Sequence, residues 1–203
     1  MEAGAAIREA FFGNSSEVRA RAMAALELSN NREVESGAAF ALGLAGYSSQ
    51  SQTLANDLEK RFPEDTLVRF SYLPAIRAQL ALNHGDTSSA LELLQAAVPY
   101  EMGAPRGIFG ALYPIYVRGE AYLAAHQGAE AATELRKILD HRGIVVSDPI
   151  GAMARLQLGR ALTLSGDGTK AKTAYQDFLT LWKDADPDIP IFKQAKAEYA
   201  ELP

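Results

Sequence analysis

The chain has 203 residues, with 20 Lys plus Arg against 25 Asp plus Glu, a formal net charge of −5. That balance argues against a nucleic-acid or anionic-membrane surface, which needs clustered Lys and Arg, and 48% hydrophobic with 22% charged residues is wrong for disorder. With no cysteine, the chain has no disulfide framework, no thiolate nucleophile and no Cys-based zinc or iron–sulfur site.

No apolar run reaches the ~18 residues that span a bilayer. The opening Met1-Glu-Ala-Gly-Ala-Ala-Ile-Arg8 has neither the basic nor the apolar segment of a secretion signal. A helical pattern starts at once, which suggests a fragment of a longer chain. Helical periodicity then predicts eleven helices: 2–12 with 15–29, 33–46 with 51–62, 66–84 with 87–98, 108–126 with 129–141, 149–164 with 168–183, and a last one over 190–202. Asn14 with Glu17 reads as a capping box. Gly13, Gly85, Gly128 and Gly166 stand where helix-ending glycines belong. Asp148-Pro149 reads as a cap followed by proline at the first helical position. The strand-like run Gly143–Ser147 is too short and solitary to build a sheet.

The pairs repeat. Gly43, Ala78, Gly119 and Gly159 are each followed twelve residues later by an alanine: Ala55, Ala90, Ala131 and Ala171. The intervals between units are 35, 41 and 40 residues. Helices joined by a short turn approach closely only where the facing side chains are tiny, which gives these residues a reason. The first pair fits loosely, with Gly13 at the turn and Val18 at the alanine place.

This spacing of small, aromatic and alanine residues resembles the tetratricopeptide repeat. The runs 60–68 (KRFPEDTLV), 72–82 (YLPAIRAQLAL), 116–125 (YVRGEAYLAA), 138–144 (ILDHRGI) and 175–190 (YQDFLTLWKDADPDIP) carry the resemblance further. Together they look like the C-terminal tetratricopeptide region of acidobacterial multidomain proteins, often serine/threonine protein kinases and sometimes winged-helix regulators. The resemblance implies a sensory or interaction region. The kinase motifs themselves do not occur in the chain.

Little in the sequence invites chemistry. His84, His126 and His141 lack metal-ligand spacing, and two of them fall at helix ends, where imidazolium is favoured. Asp184, Asp186 and Asp188 mimic a calcium loop, but Ile189 and Ala195 stand where that loop needs Gly and Glu. Gly166-Asp-Gly-Thr-Lys170 lacks the spacing of a phosphate loop. No catalytic, cofactor or metal residue is assigned.

The concave face of stacked pairs is the usual binding surface. One stripe of the first helices supplies the candidate groove: Phe40, Tyr47, Tyr72, Gln79, Tyr113, Tyr116, Glu120 and Arg160. Two readings stand. The aromatics recognise a peptide, or they pack between neighbouring repeats. Arg77 and Arg118, each directly before a small marker, read as salt-bridging residues, for example with Glu120. The insertion 99–110 would either project on one face and carry contacts or serve as a plain spacer. Phe192, Ala195, Tyr199 and Leu202 make one apolar face of the last helix, which would cap the stack near Tyr175 and Phe178.

The expectation is therefore an all-α, right-handed, tetratricopeptide-like superhelix of about five antiparallel helix pairs. It is one domain, with units near 1–30, 31–64, 65–104, 105–146 and 147–186 and a capping helix over 190–202. Its function would be protein or peptide binding without catalysis or cofactor, nucleic acid or membrane insertion, in a fragment of a signalling protein such as a serine/threonine kinase. Self-association of the parent is the alternative, and a small-ligand sensor another. The compartment stays open: cytoplasmic, or extracytoplasmic if the parent spans a membrane.

Overall fold

A computed structural model describes residues 2–103 and 112–202. Among these there are α-helices and no strand: α1 (Glu2–Phe12), α2 (Ser15–Leu28), α3 (Arg32–Leu44), α4 (Ser48–Arg61), α5 (Leu73–Asn83), α6 (Thr87–Leu93), α7 (Tyr113–Ala124), α8 (Gly128–Asp140), α9 (Arg142–Val145), α10 (Ile150–Leu164), α11 (Gly168–Leu181) and α12 (Pro190–Ala200). A π-helical turn, Val68–Tyr72, leads into α5, and a 3-10 turn, Leu94–Ala97, prolongs α6. Among the described residues no helix is long and apolar enough to cross a membrane. The start expected for α7 at 108, and most of the insertion expected over 99–110, lie outside the described residues.

Five hairpins, α1/α2, α3/α4, α5/α6, α7/α8 and α10/α11, stack in chain order. The first helix of each packs on the first helix of the next, and the second helix of each on the following first helix. All five use one turn. A residue with positive φ follows the first helix: Gly13 (+85°), Gly46 (+83°), Gly85 (+77°), His126 (+58°) and Gly166 (+81°). The N–H of the next residue then donates to the carbonyl five back, as in Asn14 to Glu9 at 2.9 Å and Gln127 to Tyr122 at 2.8 Å. This wrap satisfies the last carbonyls of the helix and aims the chain straight into its partner. It also corrects the capping box. Asn14 makes no side-chain cap to α2; its side-chain amide donates to Glu9 Oε2 at 2.8 Å instead. Asn31, Asp86 and Asp167 do cap, accepting from Val34, Ser89 and Lys170.

The turns correct the repeat register in the second hairpin. Counting seven back and five on from each turn gives Ala6 and Val18, Ala39 and Ser51, Ala78 and Ala90, Gly119 and Ala131, Gly159 and Ala171. All ten are buried. The second hairpin's markers are thus Ala39 and Ser51, one helical turn before Gly43 and Ala55, and the last three intervals become 39, 41 and 40. Ser51 Oγ donates to the Ala39 carbonyl at 2.7 Å, directly across the crossing. Gly43 has another duty: a Cβ there would lie 3.1 Å from Ser51 Oγ and 3.5 Å from Gln79 Cγ. The crossings are tight elsewhere too, since a Cβ on Gly159 would sit 2.7 Å from the Tyr175 ring.

Two further expectations change. Gly128 does not end a helix; it starts α8, where a Cβ would lie 2.6 Å from the Ala161 carbonyl oxygen at the end of α10. The strand-like 143–147 run forms the short α9 and a bend at Val146, φ +50°. With no neighbouring strand to pair with, Val145 packs on α10 instead, 2.7 Å from where a Cβ on Gly151 would be. α12 lies on α11 with Phe192 and Ala195 buried and the Tyr199 ring 6.5 Å from Tyr175. It also touches α1, so the two ends of the stack meet.

The left-handed conformation costs a side-chain-bearing residue roughly 1 kcal/mol. His126→Gly should therefore raise the unfolding free energy by about that amount in denaturant titrations. Gly128→Ala should lower it by about 1–3 kcal/mol through overpacking. A destabilised His126→Gly would mean that the five turns are not equivalent.

Candidate functional site

The first helices α3, α5, α7 and α10 pack on one another along one face of the stack, and α1 lies against it. In the corrected register Phe40, Gln79, Glu120 and Arg160 occupy the same place in four successive hairpins, one residue after the small marker. Tyr72, Tyr113 and Met153 share the place seven residues earlier. These positions share a face for one reason: each first helix must turn its marker toward its own partner, which leaves the adjoining stripe on the face that the first helices have in common.

The aromatic half of the stripe is core. Phe11 of α1 drives its ring between Tyr116, Tyr113 and Phe40, at centroid distances of 5.3, 5.8 and 6.5 Å. Phe40 and Tyr113 stack at 5.0 Å. Phe40, Tyr72, Tyr113 and Tyr116 are all buried. Their hydroxyls find partners inside the chain: Tyr72 donates to Glu33 at 3.0 Å and Tyr113 to Asp148 at 3.0 Å. Burial first, and these carboxylates second, push both phenols up. They do not line an open groove, because α1 occupies the place a peptide would take. Tyr47 is off the concave face altogether. It follows turn Gly46, donates to the Ser15 carbonyl at 3.3 Å, and lies under the Arg19 guanidinium, 5.9 Å from its ring centroid.

The polar half gathers round a cavity of about 210 Å³. Gln79, Tyr116, Glu120, Gln157 and Arg160 supply its polar wall; Phe11, Leu44, Met153 and Leu156 supply apolar wall. Gln157 Nε2 donates to Glu120 Oε1 at 2.9 Å and to the Tyr116 hydroxyl at 3.2 Å. Arg160 is clamped by Glu198 of α12, Nε to Oε2 at 2.9 Å and Nη2 to Oε1 at 2.8 Å. Tyr175 donates to the same carboxylate at 2.8 Å. Burial works against the Glu198 anion, yet the Arg160 guanidinium prevails and holds its carboxyl below the ordinary range. Glu120 has no such clamp. Burial lifts its carboxyl to about 7, and Tyr116, Arg160 and Gln157 offset only part of that rise.

Four predicted residues thus meet at the cavity: Gln79, Tyr116, Glu120 and Arg160. Sequence reasoning missed Phe11, Gln157 and Glu198. Phe11 carried a faint signal as half of the Phe11-Phe12 pair just before a turn; Glu198 carried none, since the helical face places it away from the buried stripe of α12. Both arginines are salt-bridged, as expected, but not with Glu120. Arg77 pairs with Glu59 at 2.7 Å. Arg118 pairs not with Glu120 but with Glu134 at 3.0 Å and Glu101 at 2.5 Å, because its side chain leaves α7 toward α8 and the following-on segment 98–103. The three histidines are exposed and far apart in the chain. The chemistry available at the cavity is hydrogen bonding and charge, on a rigid frame.

The raised Glu120 carboxyl has a consequence for stability. Its folded form keeps a proton that the unfolded chain releases near 4.5, so its contribution is present below about 4.5 and lost as pH rises through about 7. Thermal stability should fall from pH 5 to pH 8, and Glu120→Gln should flatten part of the fall. Glu35, whose carboxyl burial also raises to about 7 despite Arg61, adds to the fall. Parallel pH profiles for wild type and Glu120→Gln would contradict this. No protein-family model, curated protein or solved structure matches the chain.

Proposed function

We propose that this chain is a non-catalytic protein–protein interaction module, a right-handed tetratricopeptide-like superhelix within a larger signalling protein such as a serine/threonine kinase. The observation that carries the reading is the recurrence of one hairpin five times, each with the same turn and, in the last four, small residues on both helices at the crossing. A stack of this kind spends its length on surface rather than on a catalytic centre.

Because α1 fills the concave face, we assign partner contact to the lip formed by α8, α9, α10 and α11. A groove of about 370 Å³ runs there past Leu139, Val145, Val146 and Leu181, with the guanidiniums of Arg142 and Arg155 on its walls. Val146 is 80% and Leu181 59% exposed, large values for apolar side chains. Val146 is also β-branched with φ +50°, a conformation that such residues rarely adopt. Apolar centre and basic rim suit a peptide segment carrying a large apolar residue beside a carboxylate.

A photo-crosslinking residue placed at Val146 or Leu181, with Lys172 and Lys60 as exposed controls, tests the assignment. Adducts to another protein from lysate of the source cells, formed at 146 and 181 but not at the controls, are expected. An adduct of twice the chain mass in the purified protein would instead support the self-association reading. Equal labelling at all four positions would remove the lip as the contact surface.

A further inference from the structure

Two grooves meet at one turn. Residues 145–149 wall the lip groove of about 370 Å³ on one side and, on the other, a groove of about 290 Å³ that Gly4, Ile7 and Arg8 of α1 close. Arg142 and Arg155 line the first groove and Arg8 the second. Among the described residues none of the three makes an ion pair. Arg155 Nη1 donates to the Gly151 carbonyl at 2.7 Å and lies 4.0 Å from where a Cβ on Gly151 would be, beside Val145. Among the described residues lining either groove Asp148 is the one acid, and its carboxylate is engaged: it accepts from the Tyr113 hydroxyl at 3.0 Å and the Ile150 N–H at 2.9 Å. Three guanidiniums against one engaged carboxylate make a local excess of positive charge on a chain whose net charge is −5.

The turn itself is held against its preference. Val146 has φ +50° and ψ −109°, and the Asp148 N–H donates to the Val145 carbonyl at 2.9 Å. That is the geometry of the first central residue of a type II′ turn, where glycine belongs. A β-branched residue stays there only when its surroundings force it. Here Val145 is packed on Gly151, and Asp148 is fixed by its two hydrogen bonds. The Val146 side chain is thereby stood up, 80% exposed, between the two grooves.

We infer that the two grooves are one site and that it takes an acidic peptide lying across the turn. Its carboxylates are shared between Arg142 and Arg155 on one side and Arg8 on the other, with a large apolar side chain against Val146 and Leu181. The inference rests on the assignment of partner contact to the lip and adds Arg8, which that assignment does not use. A guanidinium without an internal partner is the group best shaped to hold a carboxylate by two parallel hydrogen bonds. Charge complementarity then selects an acidic partner over a basic one. A nucleic acid would need a longer run of cations than these three.

Fluorescence anisotropy of the labelled peptide Glu-Glu-Leu-Phe-Glu-Glu, titrated with the whole chain, tests this. The comparison peptides carry Lys for every Glu, or Ser for Leu and Phe. The acidic peptide should bind saturably and neither comparison peptide should. Arg8→Gln and Arg142→Gln should each weaken it about three- to fivefold, the effect of about one exposed ion pair. Arg136→Gln removes an equal charge from an exposed arginine that lines neither groove, and it should change nothing. None of these variants breaks an internal ion pair, so each should keep the wild-type melting temperature. Val146→Gly should raise the melting temperature and still weaken the peptide. Loss of affinity in Arg142→Gln with none in Arg8→Gln would overturn the joined site and leave the lip assignment standing. Saturable binding of the lysine peptide, or an equal effect of Arg136→Gln, would overturn the inference as well. So would no saturable binding of the acidic peptide, and crosslinks at 146 and 181 decide separately whether the lip assignment falls with it.

Discussion

A helix hairpin closed by a three-residue wrap leaves its two helices no freedom to stand apart. The last turn of the first helix points the chain back along itself, and within five residues the second helix must lie against the first. The space at that crossing is fixed by backbone geometry, so the residues there must be small. Ala39 and Ser51, Ala78 and Ala90, Gly119 and Ala131, and Gly159 and Ala171 meet this demand, and Ser51 joins the two backbones with a hydrogen bond. Where the demand is met by glycine, the partner helix uses the room: Leu135 fills it at Gly119 and the Tyr175 ring at Gly159. Overpacking such a place is as damaging as emptying a core. Once every hairpin crosses at the same point, the outward faces repeat, and stacking one hairpin on the next follows.

The stack does not stay open. Phe11 enters the aromatic cluster of Phe40, Tyr113 and Tyr116, Phe12 meets Trp182 edge-on at 4.9 Å, and a Cβ on Gly13 would lie 3.1 Å from Pro190. The first helix and the last thus share one boundary. The surface that an open solenoid would offer to a peptide becomes core, and the polar rest of the stripe becomes the wall of a small cavity. A rigid wall of this kind keeps Gln79, Glu120 and Gln157 in place at the cost of leaving one acceptor unpaired.

Charge performs a second task along the stack. Arg118, Glu134 and Glu101 form a buried ion cluster, with Lys137 at its edge, 2.8 Å from Glu134. It ties the segment that leaves α6 to the hairpin α7/α8. Buried charges contribute little by merely existing, since their desolvation offsets most of the attraction, but removing one partner leaves the others stranded. Arg32 does similar work nearer the start, pairing with Asp65 and Glu33 so that α3 is fixed to the segment before α5.

Much of this was legible in the residues themselves. Helical periodicity, the turn glycines and the small residues at a near-constant interval are local properties, and they specified an all-helical chain of paired elements with an apolar face on α12. Two local signals misled. Leu42-Gly43 repeats the Leu158-Gly159 step, yet Gly46, not the glycine in that step, sets the register. Asn14 has the look of a cap, yet its side-chain amide donates to Glu9 instead. What lay beyond the sequence was the closure of the stack. Whether Tyr113 and Tyr116 face a peptide or a side chain depends on where α1 comes to rest, and that is decided by how all the hairpins stack on one another. Glu198 reaches Arg160 for the same reason. No window of sequence contains that stacking, so the aromatic stripe could be read as a stripe, but only the tertiary structure turned half of it into core and the other half into a cavity.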